Sequence, residues 1–174
     1  MSFLLSNALL YGLLISLVLT VLMGASFLVA PDMWLRSYPP AIKARFGEMT
    51  AKAKRLKPIV ASSFFGVLLV LAAASLIRLQ THLGDIAGLL DIILSLFITF
   101  LVFNLYDLLI LDWLLFVRLK LPFFILPGTE GMAAYDDYGF HARAFLRGTL
   151  ICAAGAGVLG VLVFLLQMLL RLVR

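Results

Sequence analysis

Four stretches of this chain, residues 9–30, 58–76, 92–117 and 145–170, are apolar over about twenty residues or more. That length is what a helix needs to cross the hydrocarbon of a bilayer, and it leaves little choice of fold. Backbone N–H and C=O groups find no water in lipid, so a run that is apolar on every side must satisfy them within a helix. A water-soluble fold has no interior for so much Leu, Val and Phe. Hydrophobic residues make up 64% of the chain and charged ones 13%, against about 45–50% and about 25% in soluble domains. The sequence predicts an all-α integral membrane protein, a four-helix bundle of transmembrane spans forming a single domain over residues 1–174.

The segment before the first span carries no basic side chain, unlike the n-region of a cleavable signal, so the span is read as retained. Within it Gly12, Ser16, Thr20 and Gly24 recur every fourth residue. Such a stripe lets helices approach closely, or lines a polar path. After Pro31, Trp34 and Tyr38 read as interfacial anchors. Ile42, Phe46, Met49, Ala53 and Leu56 then share one narrow helical face, predicting a basic amphipathic helix over about residues 41–57. Its basic side, Lys43, Arg45, Lys52, Lys54, Arg55 and Lys57, suits anionic lipid headgroups. A dock for a partner protein, or pairing with the polar segment before the last span, is the alternative.

Pro58 is placed at the first turn of the second span, where its missing N–H is harmless. A short polar connection with His82 and Asp85 joins it to the third. The polar loop 118–144 opens with residues 121–127, a proline-bracketed piece too short to span, expected along the interface. In the last span Ala153 with Gly157, and Ala156 with Gly160, form small-xxx-small pairs for packing in the bundle or in a homo-oligomer. The single cysteine, Cys152, excludes an internal disulfide and reads as a small buried hydrophobe.

The net charge of +5 is distributed as a topology signal, with no nucleic-acid partner expected. The first connection holds Arg36 and the six basic residues of the amphipathic helix, and the third holds Arg118, Lys120, Arg143 and Arg147. Arg78, Arg171 and Arg174 remain for the other side. The positive-inside rule places the first and third connections in the cytoplasm and both termini outside.

One polar feature lies at membrane depth. Asn104, Asp107 and Asp112 interrupt the third span, with Asp112 about 8 Å and Asp107 about 15 Å from Val117 along the helix. An acid there is costly unless protonated, paired or wetted, and so marks a functional candidate. At α-helical spacing the two acids stand about 140° apart, Asn104 between them, so they are expected to face different neighbours. Glu130, Asp137, His141 and Arg143 follow in the polar loop, with Asp137 and His141 one helical turn apart. Glu130, Asp137 and His141 are hard-ligand types suited to a divalent metal such as Mg²⁺, Mn²⁺ or Zn²⁺. Capping of the last helix by Asp136 or Asp137, with Arg143 and Arg147 as ion partners, is the simpler use of the same residues.

Asp107, Asp112 and Trp113, then Pro127-Gly128-Thr129-Glu130-Gly131, then Asp137-Tyr138-Gly139-Phe140-His141, resemble sequences of four-span bacterial membrane proteins of uncharacterised activity. The resemblance covers residues 104–147 and implies a bacterial cytoplasmic membrane; it carries no residue roles. The leading expectation is binding or translocation of an ion or a small polar or lipidic ligand at a cytoplasm-facing cavity. Asn104, Asp107 and Asp112 would form its floor, and Glu130, Asp137, His141 and Arg143 its mouth. A metal-dependent enzyme acting on a lipid or amphiphile is the alternative, and a scaffold subunit the third.

Overall fold

The computed structural model of the protein describes residues 1–83 and 88–172. Asp85 of the short connection and Arg174 lie outside the described residues. Four helices are long and apolar enough to cross a membrane. They are α1 (Ser2–Val29), α3 (Ala51–Leu83), the continuous rod Leu89–Arg118, and α5 (Tyr138–Leu172). The rod begins as α4 (Leu89–Tyr106) and changes winding at Asp107. Between α1 and α3 lie a 3₁₀ segment (Pro31–Ser37) and the short α2 (Pro40–Phe46). Two further 3₁₀ turns, Pro122–Phe124 and Ala133–Asp136, shape the connection to α5. No strand occurs among the described residues, and the all-α four-helix arrangement is as the apolar runs require.

All four helices outrun the apolar stretches that announce them. Once a helix is established in lipid, polar residues at its ends extend it into the headgroups without new nucleation. The largest revision follows from this. The amphipathic helix expected over residues 41–57 is two elements. Gly47, at φ +87, adopts the left-handed region that ends α2. Thr50 then starts α3, its Oγ1 accepting the Ala53 N–H at 3.2 Å, while the Thr50 N–H donates to Asp32 Oδ2 at 2.6 Å. Residues 51–57 are therefore the first turns of the second span, and Pro58 lies inside α3 rather than at its start. Ile42 is buried among Tyr38, Phe116 and Leu126, and Ala53 against Ala30 and Met33. The apolar face packs on protein, and Arg45, Lys52, Lys54 and Arg55 stay exposed.

α4 is the central helix. α1 and α5 pack along it, and α3 packs mainly on α1. At Gly12 a Cβ would stand 2.6 Å from Val102 Cβ and 2.9 Å from the Thr99 carbonyl, so α1 and α4 approach at a glycine. Gly160 does the same for α5, its position facing Ile93 of α4. The expected oligomer face is thus partly used internally, while Gly157 has open space beside it. Among apolar lipid chains the hydrophobic effect does not drive helices together, so close packing and interhelical hydrogen bonds carry the association. Asn7 Nδ2 supplies two such bonds at 3.0 Å, to Ser75 O and Oγ of α3.

Among the described residues α3 and α5 are not a principal packing pair, each lying mainly against α1 or α4. One apolar core, with Leu4, Leu76, Leu79, Ile92, Leu96 and Ala156, fills the end nearer the chain's first residue. The other, with Tyr38, Ile42, Phe124, Leu126 and Tyr135, lies beneath the long connections. The 121–127 piece, expected along the interface, instead plugs this second core: Phe124 is 6% and Leu126 0% exposed. It is pinned by Tyr38 Oη donating to Phe124 O at 2.9 Å and by the Leu126 N–H donating to Tyr135 Oη at 3.0 Å.

Candidate functional site

From Asp107 to Arg118 the rod is wound as a π-helix. Hydrogen bonds in this winding run five residues back, as in Leu119 N–H to Leu114 O at 2.9 Å. Most π-helical stretches are single-turn bulges, frequently at functional sites, whereas this one is 12 residues long. The consequence for the two acids is direct. Residues five apart, about 140° from one another on an α-helix, fall one turn apart here and share a side. Asp107 and Asp112 line one cavity, against the divergence that α-helical spacing predicts.

The cavity has a volume of about 650 Å³ and sits between the two apolar cores. α1 contributes Thr20, Gly24 and Phe27, and the Pro31–Ser37 segment contributes Trp34 and Arg36, with Tyr38 following. α3 offers Phe64, the central rod Phe103, Asp107, Asp112 and Phe116, and α5 His141, Arg147, Gly148 and Ile151. Its walls are mostly apolar, with phenylalanine the commonest residue. Its charges are concentrated on the π-helical segment, α5 and Arg36. The rim reaches the lipid-facing surface at Ile151, which is 71% exposed, and the loop end of the molecule at Arg36. The fourfold stripe of α1 divides its labour: Gly12 packs on α4, while Thr20 and Gly24 face the cavity.

Asp112 finds its partner on α5. Its Oδ2 lies 3.0 Å from His141 Nδ1, with the histidine side chain 4% and the aspartate 26% exposed. Phe116 and Phe140 stack edge-on against the imidazole and hold its plane. His141 Nε2 is buried and has no hydrogen-bond partner. A carboxylate on one ring nitrogen selects the tautomer with its proton there, which leaves a lone pair on the other.

The remaining candidates separate. Asn104 is a clamp, its Nδ2 donating to Phe145 O and Thr149 Oγ1, both at 3.1 Å, so it ties α4 to α5 behind the cavity. Asp137 caps α5, with Oδ1 accepting the Phe140 N–H at 2.8 Å, and its other oxygen lies 3.7 Å from Arg143. Asp136 pairs with Lys120 at 2.7 Å. Glu130 is exposed and folds onto its own turn. Backbone N–H groups of Glu130 and Gly128 hold its carboxyl below the usual carboxylate range. Glu130, Asp137 and His141 are therefore not brought together, and no cluster of three metal-ligand types occurs among the described residues. The mouth expected from Glu130, Asp137 and Arg143 is replaced by Arg36, Arg147 and Trp34. Trp34 is fixed by Nε1 donating to Ser26 Oγ at 2.7 Å.

The ion pairs among the described residues join Lys54 to Glu48, Lys120 to Asp136 and Arg143 to Asp137, and Asp112 is taken up by its hydrogen bond to His141. Asp107, Arg36 and Arg147 belong to none of them. Two guanidinium groups and one carboxyl thus line the cavity outside these pairs. Fold and site together define a multi-pass α-helical membrane protein with a charged, phenylalanine-rich cavity open at its side. Comparison of the chain with protein-family models, curated proteins and solved structures finds no match.

Proposed function

We propose that this protein binds an amphiphile drawn from the bilayer, with the apolar part among the phenylalanines and the polar part against Asp107, His141 and the two arginines. One observation carries the reading. A cavity of about 650 Å³ joins aromatic rings to charged groups and reaches the exposed surface at Ile151. Its size falls within the range of roughly 300–1,000 Å³ that suits small-molecule ligands. An aqueous ion alone would leave the apolar walls unused. In the same reading the long connections face the cytoplasm of a bacterial cell and both termini lie outside, as the basic residues direct. The exposed Arg45, Lys52, Lys54 and Arg55 then meet anionic lipid headgroups.

The test is photolabelling of the purified protein, in detergent, with a phospholipid carrying a diazirine in its acyl chain. Crosslinked peptides are expected around Phe64, Phe103 and Ile151. Gly24 has no atom within 4 Å of a built Cβ, so Gly24→Trp grows into the cavity rather than into a neighbouring helix. That variant should lose these crosslinks and keep labelling on the outer face at Leu150 and Leu162. Labelling confined to the outer face in the native protein, or unaltered by Gly24→Trp, removes the proposal.

A further inference from the structure

The unpartnered groups of the cavity specify the ligand's polar end. One is a hydrogen-bond acceptor without a donor, the Asp107 carboxyl. Two are guanidinium donors without a carboxylate, Arg36 and Arg147, although Arg147 Nε reaches the Arg143 carbonyl at 3.4 Å. A purely anionic head would satisfy the arginines and be repelled by Asp107. A purely cationic head would do the reverse. An uncharged head would use neither the arginines nor the Asp107 carboxyl.

We infer that the ligand is a zwitterionic amphiphile whose head carries a phosphate for Arg36 and Arg147 and a primary ammonium for Asp107, as in an aminophospholipid. This rests on the amphiphile-binding reading. Guanidinium and phosphate match in planar, bidentate geometry. A primary ammonium brings N–H donors for the carboxylate oxygens. A quaternary ammonium has none, and could use only the aromatic faces.

Five dodecyl compounds compete against the diazirine phospholipid for labelling of the cavity peptides. Their heads are phosphoethanolamine, phosphocholine, phosphate, ammonium and maltoside. The phosphoethanolamine compound is expected to compete at about tenfold lower concentration than any other, the worth of one charge-assisted bond. Asp107→Asn should erase its advantage over dodecyl phosphate, and Arg147→Gln its advantage over dodecylammonium. Arg36→Gln, at the exposed rim and least able to disturb folding, should also weaken the phosphate-bearing compounds. Equal competition by all five, or a phosphocholine preference, overturns the inference while leaving cavity binding intact. An advantage that survives Asp107→Asn overturns it as well. Absence of cavity labelling altogether defeats the underlying reading instead.

Discussion

Replacing Asp112 with asparagine, and separately with alanine, tests the contact on which the site is built. In the native protein Asp112 Oδ2 sits 3.0 Å from His141 Nδ1, and the imidazole is almost wholly enclosed. A hydrogen bond to a charged acceptor contributes about 1.5–3 kcal/mol, and a neutral one about 0.5–1.5 kcal/mol. Asparagine keeps an acceptor in place, so Asp112→Asn should destabilise by about 1 kcal/mol, the difference between the two. Alanine strands the Nδ1 donor beside an Nε2 that already lacks a partner. Desolvation of the stranded group then adds to the lost bond, and Asp112→Ala should cost about 2–4 kcal/mol. For a chain of 174 residues, each kcal/mol lowers Tm by about 2–4 °C. The sole cysteine, Cys152, is half-buried and gives the assay: a thiol-reactive fluorophore reports unfolding in detergent as it becomes accessible. Melting is measured for Asp112→Ala, His141→Ala and the double variant. A coupling of about 1–2 kcal/mol is expected if the two groups form one unit. Full additivity of the two single losses would refute the dyad and return both residues to independent packing roles.

Further outcomes follow from the fold. Gly12→Ala should lower stability by about 1–3 kcal/mol, because the added methyl meets Val102 Cβ at 2.6 Å. Gly24→Ala, with open space at its Cβ, should be neutral or up to about 1 kcal/mol stabilising; equal effects of the two in the same melting assay would contradict the α1–α4 packing. Burial, reinforced by Tyr135 and Asp32, pushes the Tyr38 phenol above the ordinary tyrosine range. Its contribution is therefore intact below the unfolded value near about pH 10 and declines as pH rises beyond it. Tyr38→Phe should be about 1–2 kcal/mol less stable at pH 8, having lost the bond to Phe124 O. It should also lose stability less steeply above pH 10, and parallel curves for the two proteins would exclude the account. In a Cys152→Ala background an impermeant maleimide applied to intact cells should label Ser2→Cys and spare Glu48→Cys; the opposite pattern reverses the proposed orientation.

The spans were legible because lipid imposes length and apolarity on the residues themselves. Their ends were not, since helix continues through basic residues such as Lys52 and Lys54 that a hydropathy reading assigns to a loop. The break at Gly47 was foreseeable as a weak point, but its positive φ depends on where the Asp32 carboxylate meets the Thr50 N–H, a contact across 18 residues. At the site, Asp107, Asp112 and His141 were readable as residue types out of place in a membrane. Their convergence was not. It depends on a change from α to π winding that leaves no mark in the order of side chains. Asn104 illustrates the limit from the other side. It has the same composition signal as the acids, yet its amide is consumed by Phe145 and Thr149. Arg36 lies among ordinary loop residues, and only the fold of Pro31–Ser37 turns it toward Asp107 and Arg147.

On the proposed function, the exposed rim at Ile151 also changes the meaning of concentration for this site. A cavity entered from the side is filled by partitioning within a two-dimensional solvent, and its occupancy follows the mole fraction of ligand in the leaflet. A lipid that makes up an appreciable share of that leaflet saturates even a weak site, whereas dilution into micelles empties it. Apparent affinity should accordingly shift in proportion to the amount of detergent or lipid present, at constant total ligand. Selectivity would then rest on discrimination among neighbouring headgroups, with absolute binding strength of secondary importance.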